Sequence, residues 1–263
     1  MTPNDLPLVS IVTPSFNQRP YLEAAIRSVL DQDYPHIEYI VIDGGSTDGS
    51  LDVLRAHAAQ ISLWMSEPDS GQTEAINKGF SKANGDILAW LNSDDVYRPG
   101  AIREAVAYLR EHAEVGMVYG DADYIDSHGR VVGQFPAAQT DGRRLMRGYV
   151  HIPQQASFFR SRLWRMVGPL DETYRFAMDY DLWTRLAEIS TMRYVRRTWA
   201  AFRLHGTAKT LAASYLCWPE MIRIHRRQGG GRFSVIYAKY LLRRLLEPLM
   251  VRRYRAVARR LGD

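Results

Sequence analysis

The first 95 residues alternate four times between a short apolar run and a helical pattern, joined by short polar connections. Parallel strands need a crossover connection of a dozen or more residues, which is usually a helix. The alternation therefore predicts an α/β fold with a mainly parallel central sheet and helices on both faces. The predicted strands span residues 8–13, 39–42, 61–65 and 87–91, and Pro14 is expected to end the first.

Polar residues follow every predicted strand. Residues 15–17 (Ser-Phe-Asn) follow the first strand, Asp43 the second, Asp69 the third, and the adjacent acids Asp94 and Asp95 the fourth. Ligands of open α/β sheets bind beyond the carboxyl ends of the strands. We therefore expect these side chains to line one cleft.

The Asp94-Asp95 pair points to a cation. Two adjacent carboxylates repel each other, so a fold tolerates them best when a cation or several donors compensate the charge. A helix cap ahead of Pro99 is the alternative role for this pair. Hard oxygen ligands that leave positions open suit a metal that bridges a diphosphate. Our hypothesis is a divalent metal and, through it, a nucleotide diphosphate.

Three further polar residues each have two interpretations. Asp43 could bond its own turn, or it could accept from a nucleobase N–H or a ribose hydroxyl. Asp179, at the start of a helix predicted over residues 180–188, could cap that helix or act as a general base. His205 could be an ordinary surface histidine or a nitrogen ligand to the metal. No G-x-G-x-x-G motif is present, which disfavours a dinucleotide dehydrogenase.

The second half of the chain breaks the strict alternation, and residues 121–207 are the expected place for a second substrate. Its predicted elements are a helix up to about residue 112, a strand at 115–119, a hairpin over 124–135 that turns at 127–129, and a strand at 156–159.

Positive charge is concentrated at the carboxyl end. Residues 221–263 carry twelve basic side chains against two acidic ones, a net charge of +10. The preceding 220 residues carry 22 basic and 27 acidic groups, a net charge of −5. This tail lacks a base-stacking or groove-reading pattern, so no nucleic acid partner is expected.

The tail shows two apolar stripes at helical spacing. The first runs from Val235 to Leu249 and the second from Met250 to Leu261, with a change of phase at Pro248. We predict two amphipathic helices with a break at Pro248. They could pack on the body of the protein, or they could anchor residues 232–263 to an anionic membrane surface.

Cysteine content and hydropathy indicate where in the cell the protein is expected. The lone Cys217 cannot form an internal disulfide, which suits a reducing compartment. Neither a basic-then-apolar leader nor an uncharged apolar run of about 20 residues is present. The expected location is cytoplasmic, with a peripheral position on the inner face of the plasma membrane if the tail is an anchor.

Five blocks in order resemble glycosyltransferase family 2, the inverting transferases with a GT-A fold. Any one of them is weak evidence, and the ordered set is strong. The blocks are VSIVTPSFN (9–17), VIDGGSTDG (41–49), EPDSGQTEAINKG (67–79), GDILAWLNSDD (85–95) and DYDLWTRL (179–186), with RLH (203–205) as a late match.

The resemblance implies a GT-A (Rossmann-like) domain over residues 1–207, with a nucleotide-binding half to about residue 120, an acceptor half over 121–207, and a basic helical extension over 208–263. It also implies roles for individual residues. Thr13, Pro14 and Asp43 would contact the nucleoside, Asp69 would lie along the nucleotide, Asp94 would face the ribose or phosphates, Asp95 would bind Mn²⁺ or Mg²⁺, Asp179 would be the catalytic base, and His205 would approach the metal.

Two departures from the family pattern stand out. Asn92 and Met178 occupy positions where many members carry an acid. The Q-x-x-R-W signature of processive synthases is also missing, which favours addition of a single sugar.

The resemblance implies a metal-dependent hexosyltransferase. It would move one sugar from a nucleotide sugar, with a UDP-sugar as the expected donor, to a hydroxyl of a glycan or lipid-linked acceptor. Polysaccharide or glycolipid biosynthesis is the expected setting. The alternatives are a nucleotidyltransferase and a non-catalytic sugar-binding or membrane-binding module with a decayed site.

Overall fold

The computed structural model describes residues 6–205 and 209–258, with side chains in the second range given at 216–246. Within these residues, nine strands belong to one sheet. The amino-terminal half supplies four of them, and a helix covers each crossover. The elements are β1 (Val9–Ser15), α1 (Arg19–Leu30), β2 (Ile37–Asp43), α2 (Ser50–His57), β3 (Leu63–Ser66), α3 (Gln72–Lys82) and β4 (Ile87–Trp90).

These four strands are parallel and lie in the order β3-β2-β1-β4. The predicted parallel α/β arrangement is therefore confirmed. The predicted end of β1 at Pro14 is wrong, because the strand continues to Ser15. Beyond Val12, β1 pairs with β2 and no longer with β4. The N–H that Pro14 lacks is therefore not needed for pairing on the β4 side.

The rest of the chain adds strands of mixed direction to the far side of β4. Its elements are β5 (Val96–Tyr97), α4 (Ala101–Glu111), β6 (Val115–Ile125), β7 (Val131–Gln134), α5 (Gly142–Met146), β8 (Ser157–Arg160), α6 (Ser161–Val167), α7 (Met178–Ile189) and β9 (Thr191–Arg203). The sheet continues as β4-β8-β6-β9-β5, and β7 pairs with β6. β8 is antiparallel to both β4 and β6, whereas β6 and β9 are parallel.

The predicted hairpin is confirmed. β6 and β7 pair antiparallel, with Asp123 opposite Gln134, and the connection between them includes Gly129 at φ +81°. Glycine adopts this left-handed conformation without a steric penalty, which explains its place in the turn.

Two apolar layers cover the sheet, one on each face. Val12, Ile40 and Trp90 belong to one buried cluster, whereas Ile11 and Val41 belong to the other. Neighbouring residues of a strand point to opposite faces, so the two clusters flank the sheet. Helices on both faces were predicted from the sequence.

The tail differs from its prediction. It forms α8 (Lys209–Arg227) and α9 (Val235–Ala258), and α9 passes Pro248 without the expected break. A proline inside a helix removes one hydrogen bond and costs about 3 kcal/mol, but it need not end the helix. The predicted second stripe, 250–261, lies outside the residues whose side chains are described.

The first apolar stripe of α9 faces solvent. Leu241, Leu242 and Leu245 are 62%, 57% and 77% exposed, whereas Ile236 on another side of the helix is buried against the body. The helix thus packs through one side and presents leucines on another. Within the described residues, no helix is long and apolar enough to cross a bilayer.

Candidate active site at the carboxyl edge of the sheet

The carboxyl ends of β1, β2, β3 and β4 lie at one edge of the sheet, as parallel pairing requires. Ser15 pairs with Asp43, and Asp43 pairs with Ser66. Asp69 follows β3 by three residues, and Asp94 follows β4 by four. The loops in which we predicted a ligand therefore share one edge.

Asp43 is fully buried and holds the turn that follows β2. Its Oδ2 accepts hydrogen bonds from the backbone N–H of Gly45 at 3.1 Å and of Ser46 at 2.8 Å, and from Ser66 Oγ at 2.7 Å. Its Oδ1 accepts from Ser46 Oγ at 2.5 Å. These contacts match the structural interpretation of Asp43 as a turn carboxylate. Contact between Asp43 and a nucleoside stays a prediction.

The glycine turn that follows β2 leaves space for the side chain of Asp69. Gly44 has no side chain, and a Cβ built there would lie 2.9 Å from Asp69 Oδ2. Asp69 also accepts from the backbone N–H of Gly71 at 2.9 Å. Burial, reinforced by the nearby charges of Glu74 and Asp43, raises the pKa of Asp69. A half-buried carboxyl therefore stands against the glycine turn.

Thr13 and Pro14 are both buried in β1. Thr13 Oγ1 accepts from the hydroxyl of Tyr39 at 3.0 Å, so its side chain is engaged within the body. Just beyond them, Phe16 is 59% exposed and Asn17 has a positive φ of 51°. The predicted nucleoside contacts of Thr13 and Pro14 stay predictions, and their side chains face inward.

Asp94 lies against His205. The imidazole Nε2 is 3.0 Å from Asp94 Oδ2, across 111 residues of sequence. His205 itself is buried, and its ring lies 4.7 Å from the ring of Tyr21. Arg203 Nε donates to the backbone carbonyl of Asp94 at 2.9 Å, which holds the two loops together. The late match RLH thus reaches the acidic turn after β4.

Asp95 points the other way, into the interior. It is fully buried, its Oδ1 accepts from the backbone N–H of Arg203 at 2.9 Å, and its Oδ2 accepts from Asn92 Nδ2 at 3.3 Å. Burial, together with the charge of Asp94, raises the pKa of Asp95 well above its ordinary value. A metal bound by Asp95 would have to enter this enclosed site, whereas Asp94 is partly exposed. The carboxylate of Asp94 is therefore the more accessible of the two, and the metal role of Asp95 stays a prediction.

Asn92 belongs to a network of amides. Its carbonyl oxygen accepts from Gln72 Nε2 at 2.7 Å, and its Nδ2 donates to Asp95. Gln154 Nε2 in turn donates to the carbonyl of Trp90 at 2.7 Å. An acid at position 92 could not donate to Asp95 and would add a third negative charge. The departure from the family pattern therefore suits a buried Asp95.

Asp179 is the second residue of α7, where its Oδ1 accepts from the backbone N–H of Tyr180 at 2.7 Å. The N-cap of the helix is Ala177, so Asp179 is not the cap. Capping is supplied by α8: Glu220 accepts from the backbone N–H groups of Arg175 at 3.0 Å, Phe176 at 2.8 Å and Ala177 at 2.8 Å.

The start of α3 connects the two acidic regions. Gln72 donates to Asn92, two residues before Asp94, and Thr73 Oγ1 donates to Met178 Sδ at 2.8 Å, one residue before Asp179. The second departure from the family pattern, Met178, is thus buried against α3. The base candidate therefore borders the region that contains Asp94.

Sequence reasoning did not identify Gln72, Gln154, Tyr21 or Glu220. Each acts through a contact at least 20 residues distant, and helical or strand periodicity carries no signal for such contacts. Among the described residues, no group of three or more His, Cys, Asp or Glu side chains could hold a metal.

Comparison with known proteins places this geometry in context. A family model for glycosyl transferase family 2 matches residues 10–200. An uncharacterized glycosyltransferase of Mycobacterium tuberculosis is 33% identical over 240 residues, covering 89% of this chain and 90% of that protein. The Bacillus subtilis glycosyltransferase TuaG, named for teichuronic acid biosynthesis, is 38% identical over 110 residues, covering 41% of this chain and 44% of that protein.

Solved structures share the fold. Staphylococcus aureus TarS (1–349) in complex with UDP-GlcNAc superimposes with a TM-score of 0.68 at 16% identity, covering 89% of this chain and 71% of that chain. The mannosyltransferase PcManGT of Pyrobaculum calidifontis, in complex with GDP-Man and Mn²⁺, superimposes with a TM-score of 0.63 at 19% identity, covering 99% of this chain and 77% of that chain.

Proposed function

The chain belongs to glycosyltransferase family 2 and has the GT-A fold, and on this premise we propose that it moves one sugar from a nucleotide diphosphate sugar to an acceptor hydroxyl with inversion at the anomeric carbon. The observation that carries the proposal is the Asp94–His205 contact at the carboxyl edge of the sheet. Family membership argues against a nucleotidyltransferase, and intact Asp94, His205 and Asp179 argue against a decayed site.

The pair Asp94 and His205 fits a divalent cation. The Asp94 carboxylate and the His205 imidazole, whose Oδ2 and Nε2 atoms lie 3.0 Å apart, would hold the cation. Magnesium and related ions are commonly held by one or two protein ligands plus substrate phosphates, which agrees with a two-residue site. When bound, Mn²⁺ or Mg²⁺ would neutralise charge that develops on the diphosphate leaving group.

The nucleoside would lie along the same edge. In this proposal, the Asp43 turn and the end of β1 form the wall of the nucleoside site, and Asp69 faces the nucleotide across Gly44. Residues up to about 120 would form the donor half and residues 121–207 the acceptor half. A UDP-sugar is the proposed donor, because TarS, a protein of the same fold, was solved with UDP-GlcNAc.

Asp179 would act as the general base. Its carboxylate takes the proton of the acceptor hydroxyl while that oxygen attacks the anomeric carbon, and the bond from that carbon to the diphosphate breaks on the opposite face. Configuration therefore inverts. Asp179 lies in the first turn of α7, where its Oδ1 accepts from the backbone N–H of Tyr180 at 2.7 Å, and this contact orients the carboxylate.

Product analysis tests this proposal. With a UDP-sugar, Mn²⁺ and an acceptor, proton NMR should show one new glycosidic linkage of opposite anomeric configuration to the donor. Asp179→Asn should retain donor binding and lose transfer by at least about a hundredfold. Near-normal transfer by this variant, or a product with retained configuration, would refute the assignment. Glu188→Gln, an exposed change of the same kind on α7, is the matched control.

The exposed leucines of α9 would meet an anionic membrane surface. Leu241, Leu242 and Leu245 supply apolar contact, and the +10 charge of residues 221–263 supplies attraction to acidic headgroups. The proposed location is the inner face of the plasma membrane, and polysaccharide or glycolipid biosynthesis is the proposed setting, as the name of the relative TuaG suggests.

Vesicle flotation tests this attachment. The protein should float with vesicles of phosphatidylcholine and phosphatidylglycerol, and salt should release it. Leu241→Gln with Leu245→Gln should abolish flotation, whereas Val131→Gln, an exposed residue on β7, should not. Unchanged flotation of the double variant would refute the attachment, and so would assembly into dimers that hides these leucines.

A further inference from the structure

A cavity of about 260 Å³ opens between α5, α8 and α9. It is lined by Gly148, Trp218, Lys239, Leu242 and Arg243. Two of these five residues are cationic and none is acidic. None of these lining residues belongs to the Asp94–His205 pair or to the proposed donor site.

The two cations are held in place by aromatic rings. The Arg243 guanidinium lies 4.8 Å from the centre of the Trp218 ring, and Lys239 Nζ lies 3.0 Å from the centre of the Tyr149 ring. Lys239 also donates to the carbonyl of Arg147 at 3.0 Å. Contacts of this kind orient flexible basic side chains before a ligand arrives. An anion entering the cavity would meet two positioned positive charges.

The cavity borders the start of α7. Tyr180, the neighbour of Asp179, donates its hydroxyl hydrogen to the carbonyl of Leu145 at 2.7 Å, three residues before Gly148. On the other side, Glu220 holds the N-terminus of α7 and lies two residues after Trp218. The proposed base is therefore bracketed by the two segments that form the cavity wall.

The thiol of Cys217 lies close enough to Asp179 and Arg243 for both charges to affect its pKa. Burial and the negative charge of Asp179 raise its pKa to about 11, and the positive charge of Arg243 opposes the rise. Both charges therefore act on one thiol that is adjacent in sequence to Trp218.

The cavity also opens toward the leucines of α9. Leu242 lines the cavity and is itself 57% exposed, and Leu241 and Leu245 lie beside it on the helix. A ligand with an anionic group in the cavity could thus place a hydrocarbon chain along the leucines. The cationic cavity and the exposed leucines therefore meet at Leu242.

We propose that this cavity binds the phosphate of the acceptor, and that the acceptor is an amphiphile in which a phosphate or diphosphate joins a hydrocarbon chain to the sugar that is glycosylated. The proposal rests on the proposed function and names its acceptor class. Guanidinium and ammonium groups are the usual ligands of phosphate oxygens. A neutral glycan would instead need an exposed aromatic face, whereas Trp218 is buried and covered by Arg243.

Calorimetric titration with three probes tests the site. Farnesyl diphosphate carries both groups, farnesol lacks the phosphates, and inorganic pyrophosphate lacks the chain. EDTA is included so that no metal-dependent binding at the donor site contributes. Farnesyl diphosphate should bind at least about tenfold more tightly than either of the other two, because it engages both the cations and the leucines. Equal affinity for pyrophosphate, or equal affinity for farnesol, would overturn the proposal.

Matched variants locate the binding. Lys239→Met with Arg243→Met keeps the length of both side chains and should weaken farnesyl diphosphate binding at least about tenfold. Arg244→Met removes one positive charge from an adjacent exposed position outside the cavity and should leave affinity unchanged. Equal loss in both variants, or loss in neither, would overturn the site.

Donor chemistry provides the independent readout. Metal-dependent hydrolysis of a UDP-sugar should survive in the Lys239→Met, Arg243→Met variant, because the cavity is separate from Asp94 and His205. Absence of this hydrolysis in the unaltered protein would count against the proposed function, whatever the outcome of the farnesyl diphosphate titration.

Discussion

Glu220 provides a sharp test of how the proposed base is held. This residue of α8 accepts three backbone hydrogen bonds at the N-terminus of α7, from Arg175, Phe176 and Ala177 at 3.0, 2.8 and 2.8 Å. A carboxylate at this end of a helix also gains from the macrodipole. Glu220→Gln removes the charge and turns one acceptor oxygen into a donor that faces N–H groups.

The expected loss of stability can be worked out from these contacts. A hydrogen bond to a charged group contributes about 1.5–3 kcal/mol, and the substitution of a cap costs about 0.5–2 kcal/mol. Gln can keep its carbonyl oxygen toward the two 2.8 Å donors, so the loss is about 2 kcal/mol. For a chain of this size, the melting temperature should fall by roughly 4–8 °C.

The kinetic effect should fall on turnover. Displacement of Asp179 by about 1 Å would lower kcat by up to about a hundredfold. KM for the donor should be unchanged, because Glu220 contacts residues just before α7, which belong to the proposed acceptor half. Steady-state kinetics with varied donor, alongside differential scanning calorimetry, measures both effects, and Glu188→Gln is the control. A normal kcat in a protein destabilised as expected would refute the positioning role, and an unchanged melting temperature would refute the capping contacts themselves.

Three further predictions concern the donor side of the cleft. Asn92→Asp removes the donor to Asp95 and adds a half-buried acid, so urea denaturation should show a loss of about 1–3 kcal/mol in the free energy of unfolding. Gly44→Ala places a methyl group 2.9 Å from Asp69 Oδ2, so KM for the donor should rise severalfold while kcat changes less. His205→Ala should weaken Mn²⁺ binding in the presence of UDP by at least about tenfold, as measured by calorimetry, and an unchanged affinity would contradict the ligand role.

Strand and helix identity in the first half could be predicted because each apolar run is short, bounded by turn residues and followed by a helical pattern. The sheet order β3-β2-β1-β4 could not, because a run such as residues 39–42 carries no information about its neighbour. The continuation of β1 through Pro14 was not predicted. A proline ends a strand only where its missing N–H would have paired with a neighbouring strand, and the sequence does not show where β1 has such a neighbour.

The gathering of the acids at one edge of the sheet was predictable from the sequence, whereas their contacts were not. The acids at strand ends were found because parallel pairing brings those ends together. The difference in environment between Asp94 and Asp95 depends on Arg203, whose backbone N–H donates to Asp95 from 108 residues away. No local pattern encodes that contact. The break expected at Pro248 failed for a related reason, since a helix can pass a proline when other contacts stabilise its turns.

The central claim is that Asp94, together with His205, binds the metal that holds the nucleotide diphosphate, while Asp95 supports the turn from behind. Calorimetric titration of UDP with and without Mn²⁺ tests it directly. In the unaltered protein and in Asp95→Asn, Mn²⁺ should strengthen UDP binding by at least about tenfold. In Asp94→Asn that enhancement should disappear. Retention of the full Mn²⁺ effect in Asp94→Asn, with its loss in Asp95→Asn, would contradict the account.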